Sequence, residues 1–331
     1  MRILSALAGS FGLLTLNTVA VGQTTSGEID AHIATAKAAA GLEFRGTFVD
    51  LCFPSPPPAQ RGPDQPGATP DPATWYASPY KVFDNLYWLG TRQHSSWALK
   101  TSDGIILIDT NFSWAVQPEI IDGMKKFGLD PRQIKYVVLS HAHGDHDQGV
   151  ATIQNYGAHV VMGGPDWDAT LKRTGTDYPG GVARKGPNDI SIGPDGRKLV
   201  LGDTTINIVF TPGHTPGTLS YVFPVRDNGK TTVVAYSGGT LTGAFGTDGT
   251  KWDEYIASQS RIAKEAADAG ASVLLSNHSE YDDAYTKARL VGLKREVGEE
   301  NPFIVGVRGV QRYFTVMTEC ATASKQRLGA K

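Results

Sequence analysis

The chain has little cysteine. Two residues in 331, Cys52 and Cys320, leave room for at most one internal bridge. It has almost no net charge either: at −2 there is no electrostatic reason to expect nucleic acid or an anionic membrane as partner. Beyond the first twenty or so residues no apolar run is long enough to span a bilayer. Histidine is scarce, with eight in the chain. What is present is a globular composition, 40% apolar and 19% charged, in a length that suits one large domain or two ordinary ones. The 38 glycines and 19 prolines point to many turns and loops.

The opening "MRILSALAGSFGLLTLNTVAVGQ" has one early arginine and an apolar run to about Val21, interrupted by Ser10, Asn17 and Thr18. Small residues at Ala20 and Gly22 offer a cleavage site. Residues 1–22 therefore read as a secretory signal peptide, with the mature chain starting near Gln23; a buried N-terminal helix is the alternative. Export implies a periplasmic or secreted protein, with no membrane partner once the signal is removed. In an oxidising compartment the two cysteines permit a Cys52–Cys320 disulfide or two free thiols, and the bridge is the expectation.

Residues 23–74 combine a helical stretch, "GEIDAHIATAKAAAGLEF", with a proline-rich arm, "FPSPPPAQRGPDQPGATPDP", unsuited to helix or central strand. From Trp75 the pattern changes, and residues 75–331 read as one domain. "YKVFDNLYWLGT" and "SSWALKTSDGIILID" are β-rich, with a turn at Ser102-Asp103-Gly104. "QPEIIDGMKKFGL" has helical periodicity and "IKYVVLS" is a continuous apolar strand. Strands and helices then alternate, from "AHVVMG" through "KLVLGDTTINIVFTPG", "GTLSYVFPV" and "TTVVAYSGG" to "ASVLLSN" and a terminal helix. Strands apolar on both faces, interleaved with helices, predict sheets covered by helices.

The chemistry gathers directly after "IKYVVLS". The segment "LSHAHGDHDQG" packs His141, His143, Asp145 and His146 into six positions. Taken alone, such a cluster could be a polar surface loop. However, His and Asp are typical zinc ligands, His-x-His can place two imidazoles on one side of an extended backbone, and loops after strands are where a rigid scaffold displays chemistry. A catalytic zinc takes about three protein ligands and keeps an open position; a second ion would sit about 3.5–4 Å away. Two further histidines stand on loops after strands: His214 in "FTPGHTPGT" and His278 in "VLLSNHSEYD". The other three read plainly, His32 in a helix, His159 in a strand and His94 at the surface, with a place at the mouth of the site as the alternative for His94.

His-x-His-x-Asp-His, a later Thr-Pro-Gly-His and a last His after a strand resemble the metallo-β-lactamase superfamily, from about Trp75 to the C-terminus. The resemblance implies a four-layer αβ/βα sandwich with zinc where the sheets meet, here with a proline-rich N-terminal arm. "VFDNLYWLGT", "SSWALKTSDGIILIDT", "SHAHGDH" and the late "NPF" are most similar to subclass B3. Carried over, His141, His143 and His214 would hold a first Zn2+, and Asp145, His146 and His278 a second. Asp145 would also orient the attacking water, and Asp109 would brace the metal loop without ligating. Relatives that cleave lactones or thioesters carry a bridging Asp after the strand that reads "TTVVAYSGGTLTG" here, where Thr240 or Gly239 stands instead. Thr240 and Thr242 preserve hydroxyls that in the B3 pattern hold a substrate carboxylate, with ordinary strand-end packing as the alternative. Phe245 lies where some B3 enzymes carry a tyrosine.

The implied function is an exported dinuclear zinc hydrolase that opens β-lactam amides with a zinc-activated hydroxide. Its partner would be a small molecule with an amide or ester carbonyl. A lactone hydrolase of the same fold, or a zinc-binding protein without catalysis, are the alternatives.

Overall fold

Strands that are apolar on both faces need a cover on each face, and the chain supplies two. The computed structural model describes residues 26–54, 70–173, 181–240, 245–293, 295–296 and 298–331. The expected signal peptide and most of the proline-rich arm lie outside the described residues. The first sheet contains β1 (Tyr80–Lys81), β2 (Leu86–Trp88), β3 (Trp97–Thr101), β4 (Gly104–Ile108), β5 (Ile134–Val138), β6 (His159–Gly163) and β7 (Ile190–Ile192), in chain order. Pairing is antiparallel from β1 to β4 and parallel from β4 to β7. The second contains β8 (Arg197–Leu201), β9 (Thr204–Phe210), β10 (Leu219–Asp227), β11 (Lys230–Ser237) and β12 (Val273–Ser276). These run antiparallel except β12, which joins β11 in parallel at the edge.

The two-residue alternation of a strand sorts each side chain to one of three cores. Ile106 and Ile108 of β4 face Tyr221, Phe223 and Tyr236 of the second sheet, with Trp88 and Trp97 between the sheets. Ile105 and Leu107, one residue out of phase, face outward onto Val116, Ile120, Met124 and Val150. On the far side Val222, Ala235 and Leu274 meet Trp252, Tyr255, Tyr313 and Met317 from helices Gly249–Asp268 and Gly306–Arg327. The order is helix, sheet, sheet, helix: an αβ/βα sandwich. Cutting a central aromatic such as Phe223 to alanine should cost about 3–5 kcal/mol through the cavity it leaves.

The N-terminal helices Ser26–Ala40 and Arg45–Cys52 belong to the outer layer. Ala36, Ala40, Phe44 and Leu51 share a core with Val310, Tyr313 and Phe314, and His32 Nδ1 lies 2.6 Å from Glu319. Cys52 and Cys320 are bridged, with Cα atoms 4.5 Å apart, so the disulfide ties this layer to the C-terminal helix. No helix among the described residues is long and apolar enough to cross a membrane.

The loops after β4, β5, β9, β11 and β12 collect at one edge of the sandwich. There the chain leaves ordinary backbone geometry: Asp109 and Asn111, just past β4, take φ of 57° and 56°. Such left-handed residues persist where surrounding contacts over-determine them, and they cluster at functional sites.

Candidate metal centre

β5 delivers its chain into the interior, so the residues that follow are held by packing as well as by hydrogen bonds. His141 is 1% exposed. Its Nδ1 donates to the Gly238 carbonyl at 2.9 Å, which leaves Nε2 as the lone-pair nitrogen. That Nε2 lies 3.2 Å from His214 Nε2, and His143 Nδ1 lies 3.1 Å from the same atom. Zinc–nitrogen bonds of 2.0–2.1 Å in a tetrahedron put neighbouring donors about 3.3 Å apart, so this spacing is that of ligands around one ion. Burial and the neighbouring imidazoles push His141 well below its usual pKa, and burial lowers His143 too. Both rings are therefore neutral, as metal ligands must be.

A second trio stands beside the first, the His141 and His146 rings being 4.4 Å apart. Asp145 Oδ2 lies 3.2 Å from His146 Nε2 and 3.3 Å from His278 Nε2, and those two nitrogens are 3.1 Å apart. Burial works against ionising Asp145, but the two imidazoles outweigh it and hold the carboxyl well below its usual range. Burial likewise opposes charge on His146, yet the Asp145 and Asp109 carboxylates raise it to about 10, so an ion binding there would displace a proton from the ring. Each imidazole has a carboxylate behind it: His146 Nδ1 is 3.2 Å from Asp109 Oδ2, and His278 Nδ1 is 3.5 Å from Glu280. Such partners fix the ring and tautomer of a metal-ligating histidine and raise its basicity. The donor set, imidazoles with one carboxylate, fits a zinc-type ion in both trios.

Two buried acids brace these loops. Asp109, fully buried, accepts from Ser140 N at 2.7 Å through Oδ1. Its Oδ2 accepts from the hydroxyls of Ser140 and Tyr236, both at 2.8 Å. Asp166 was not singled out in the sequence, where it sits unmarked in "GGPDWDAT". It accepts from Ala142 N and Thr215 Oγ1, both at 2.8 Å, and from Gly217 N at 2.9 Å. It thus locks the His141–His143 loop to the His214 loop. Gly238 must be glycine: a Cβ there would lie 1.7 Å from the Leu219 carbonyl oxygen.

Two expectations change. His94, expected at the surface rather than at the mouth of the site, stands in the site with only 15% of its side chain exposed and Nε2 3.5 Å from Asp145 Oδ2. Thr240, read as a carboxylate anchor, is 1% exposed, with its hydroxyl 3.2 Å from Ser276 Oγ and its carbonyl accepting from Tyr255. A residue so enclosed does not reach a substrate. Thr242 lies outside the described residues. Phe245 is also turned inward, packing on Trp252 and Tyr255. His159 and His32 stand apart from the site, on Tyr136 and Glu319 respectively.

This geometry and fold have known counterparts. Residues 89–235 match the family description "Metallo-beta-lactamase superfamily". Among solved structures it is similar to BJP-1, a subclass B3 metallo-beta-lactamase of Bradyrhizobium japonicum. That match has 26% identity and a TM-score of 0.62, and covers 77% of this chain and 97% of that one. It shares the fold of the FEZ-1 metallo-beta-lactamase of Legionella gormanii at TM-score 0.65 and 23% identity, over 80% of this chain and all of that one. By sequence it is 33% identical over 116 residues to the N-acyl homoserine lactonase AttM of Agrobacterium fabrum. That alignment takes in 31% of this chain and only 40% of the lactonase.

Proposed function

We propose that this chain is an exported hydrolase that holds two zinc ions and opens the amide of β-lactam rings. The observation that carries the reading is the pair of trios, six donor side chains from three loops spaced as ligands are spaced around single ions. Bound there, the ions supply Lewis acidity toward a carbonyl oxygen and lower the pKa of water toward neutrality. His141, His143 and His214 hold one ion; Asp145, His146 and His278 hold the other. Asp145, kept ionised, accepts a hydrogen bond from the attacking water and orients it. Asp109 and Glu280 keep His146 and His278 in the tautomer that presents Nε2. Asp166 fixes the distance between the His143 and His214 loops, so the substrate meets a preorganised site.

A second reading, hydrolysis of lactones, is favoured by the sequence similarity to the AttM lactonases. Against it stands the position after β11. A Cβ on Gly239 would lie 2.6 Å from His214 Cβ, so the loop as built has no room for a bridging acid there. The disulfide supports export, because bridges persist in oxidising compartments. The test is a panel of carbapenem, cephalosporin and lactone substrates given to the purified chain, with and without chelator. Chelator-sensitive turnover of β-lactams over lactones supports the first reading, and the reverse preference supports the second. Bound metal without turnover of any substrate would leave a zinc-binding protein.

A further inference from the structure

We propose that His94 is a fourth protein donor at the second metal position, so that Asp145, His146, His278 and His94 form a closed set around that ion. The inference rests on the two-metal reading and adds to it a ligand outside the six-donor set. His94 Nε2 is 3.5 Å from Asp145 Oδ2, close to the donor spacing of about 3.3 Å expected around zinc. One ligand atom each from His94, Asp145 and His278 lies within 4.8 Å of the other two.

The ring is held with Nε2 inward. Nδ1 is 3.3 Å from Thr91 Oγ1, and the ring stands edge-on to Phe112 at 5.2 Å. Its backbone is equally fixed. The tight turn closes with Thr91 N donating to His94 O at 2.8 Å, and Thr91 Oγ1 accepts from His94 N at 2.9 Å. A Cβ at Gly90 would lie 2.5 Å from His94 O, so the turn requires glycine there. Neighbouring strands bind the His94 loop to the His278 loop. His94 and His278 form a β-bridge, Ser95 N donates to Asn277 O at 2.9 Å, and Ser279 N donates to Gln93 O at 2.6 Å.

The consequence is a division of labour. Four protein donors complete a tetrahedral set, as in structural zinc sites, whereas the all-histidine trio keeps a position open. The second ion is then the more tightly held.

The experiment titrates Co2+ into the metal-free full-length mature chain and follows its visible absorption, for wild type, His94→Ala and His94→Gln. Wild type is expected to take two equivalents. In His94→Ala one equivalent binds as in wild type, while the other weakens at least about tenfold and loses absorption intensity. Gln keeps a hydrogen-bond donor for Asp145 but is a poor zinc donor, so His94→Gln should behave as His94→Ala does. It also carries the comparison if the alanine variant folds poorly. Millimolar imidazole should restore the weakened equivalent in His94→Ala. Wild-type affinity and spectrum in His94→Ala, or full recovery in His94→Gln, would overturn the proposal and leave His94 a hydrogen-bonding neighbour. Fewer than two equivalents in wild type would overturn the two-metal reading itself, a result distinct from either.

Discussion

Replacing Asp109 with asparagine tests how the fold sets the site. Asparagine keeps the size of the side chain and tolerates the left-handed backbone at φ 57°, so neither a cavity nor strain confuses the outcome. What changes is one oxygen, and both amide orientations carry a penalty. With the oxygen toward His146, the NH2 faces Ser140 N, now 2.7 Å from the brace, and a buried backbone donor loses its acceptor. With the oxygen toward Ser140 N, the NH2 faces His146 Nδ1, which must then accept. The ring proton moves to Nε2, the nitrogen that points at Asp145 and His278, and His146 ceases to be a ligand. An unpaired buried donor costs about 1–3 kcal/mol, and the charged acceptor adds about 1.5–3 kcal/mol for a bond lost. Asp109→Asn should therefore lose about 2.5–6 kcal/mol by denaturant unfolding of the metal-free chain. It should also bind the second metal equivalent 10–100-fold more weakly, the usual size of a lost carboxylate partner. Unchanged metal affinity with stability within about 0.5 kcal/mol of wild type would refute the reasoning.

Three other perturbations have definite outcomes. Replacing both Cys52 and Cys320 with serine opens a tie spanning 268 residues and should cost roughly 4–5 kcal/mol in denaturant unfolding, with metal content unchanged. Glu119 is buried, and its Oε2 has no hydrogen-bond partner among the described residues; desolvation raises its pKa from 4.5 to about 8. The native state thus holds a proton that the unfolded chain releases near pH 4.5, and stability falls as pH rises from there through about 8. Glu119→Gln should flatten that slope, whose limit is about 1.4 kcal/mol per pH unit, in thermal melts across pH 5–9; a parallel wild-type and variant profile would contradict it. Gly239→Ala drives a methyl against His214 and should weaken the first metal equivalent at least about tenfold by Co2+ titration, leaving the second in place. Equal loss at both would point to a collapsed loop.

Five of the six donor side chains in the two trios were legible because they are adjacent in sequence or marked by turns. "SHAHGDH" announces four of them, and Pro-Gly turns flank His214. The sandwich was legible because its strands are apolar on both faces, which only a sheet covered twice requires. His94 and Asp166 escaped for the opposite reason. Their roles come from pairings 184 residues apart (His94 with His278) and 49 apart (Asp166 with Thr215), and no local pattern encodes either. Thr240 failed differently: its spacing matched, but the loop turns its hydroxyl inward onto Ser276. A spacing rule carries no information about which way a strand end rotates.

The central claim is that two trios each hold an ion, and anomalous diffraction from crystals of the zinc-loaded chain tests it most directly. The account predicts two zinc peaks about 3.5–4 Å apart. One should lie about 2.0–2.2 Å from nitrogens of His141, His143 and His214, the other at like distance from Asp145, His146 and His278. A single peak, or peaks away from these six residues, would contradict it.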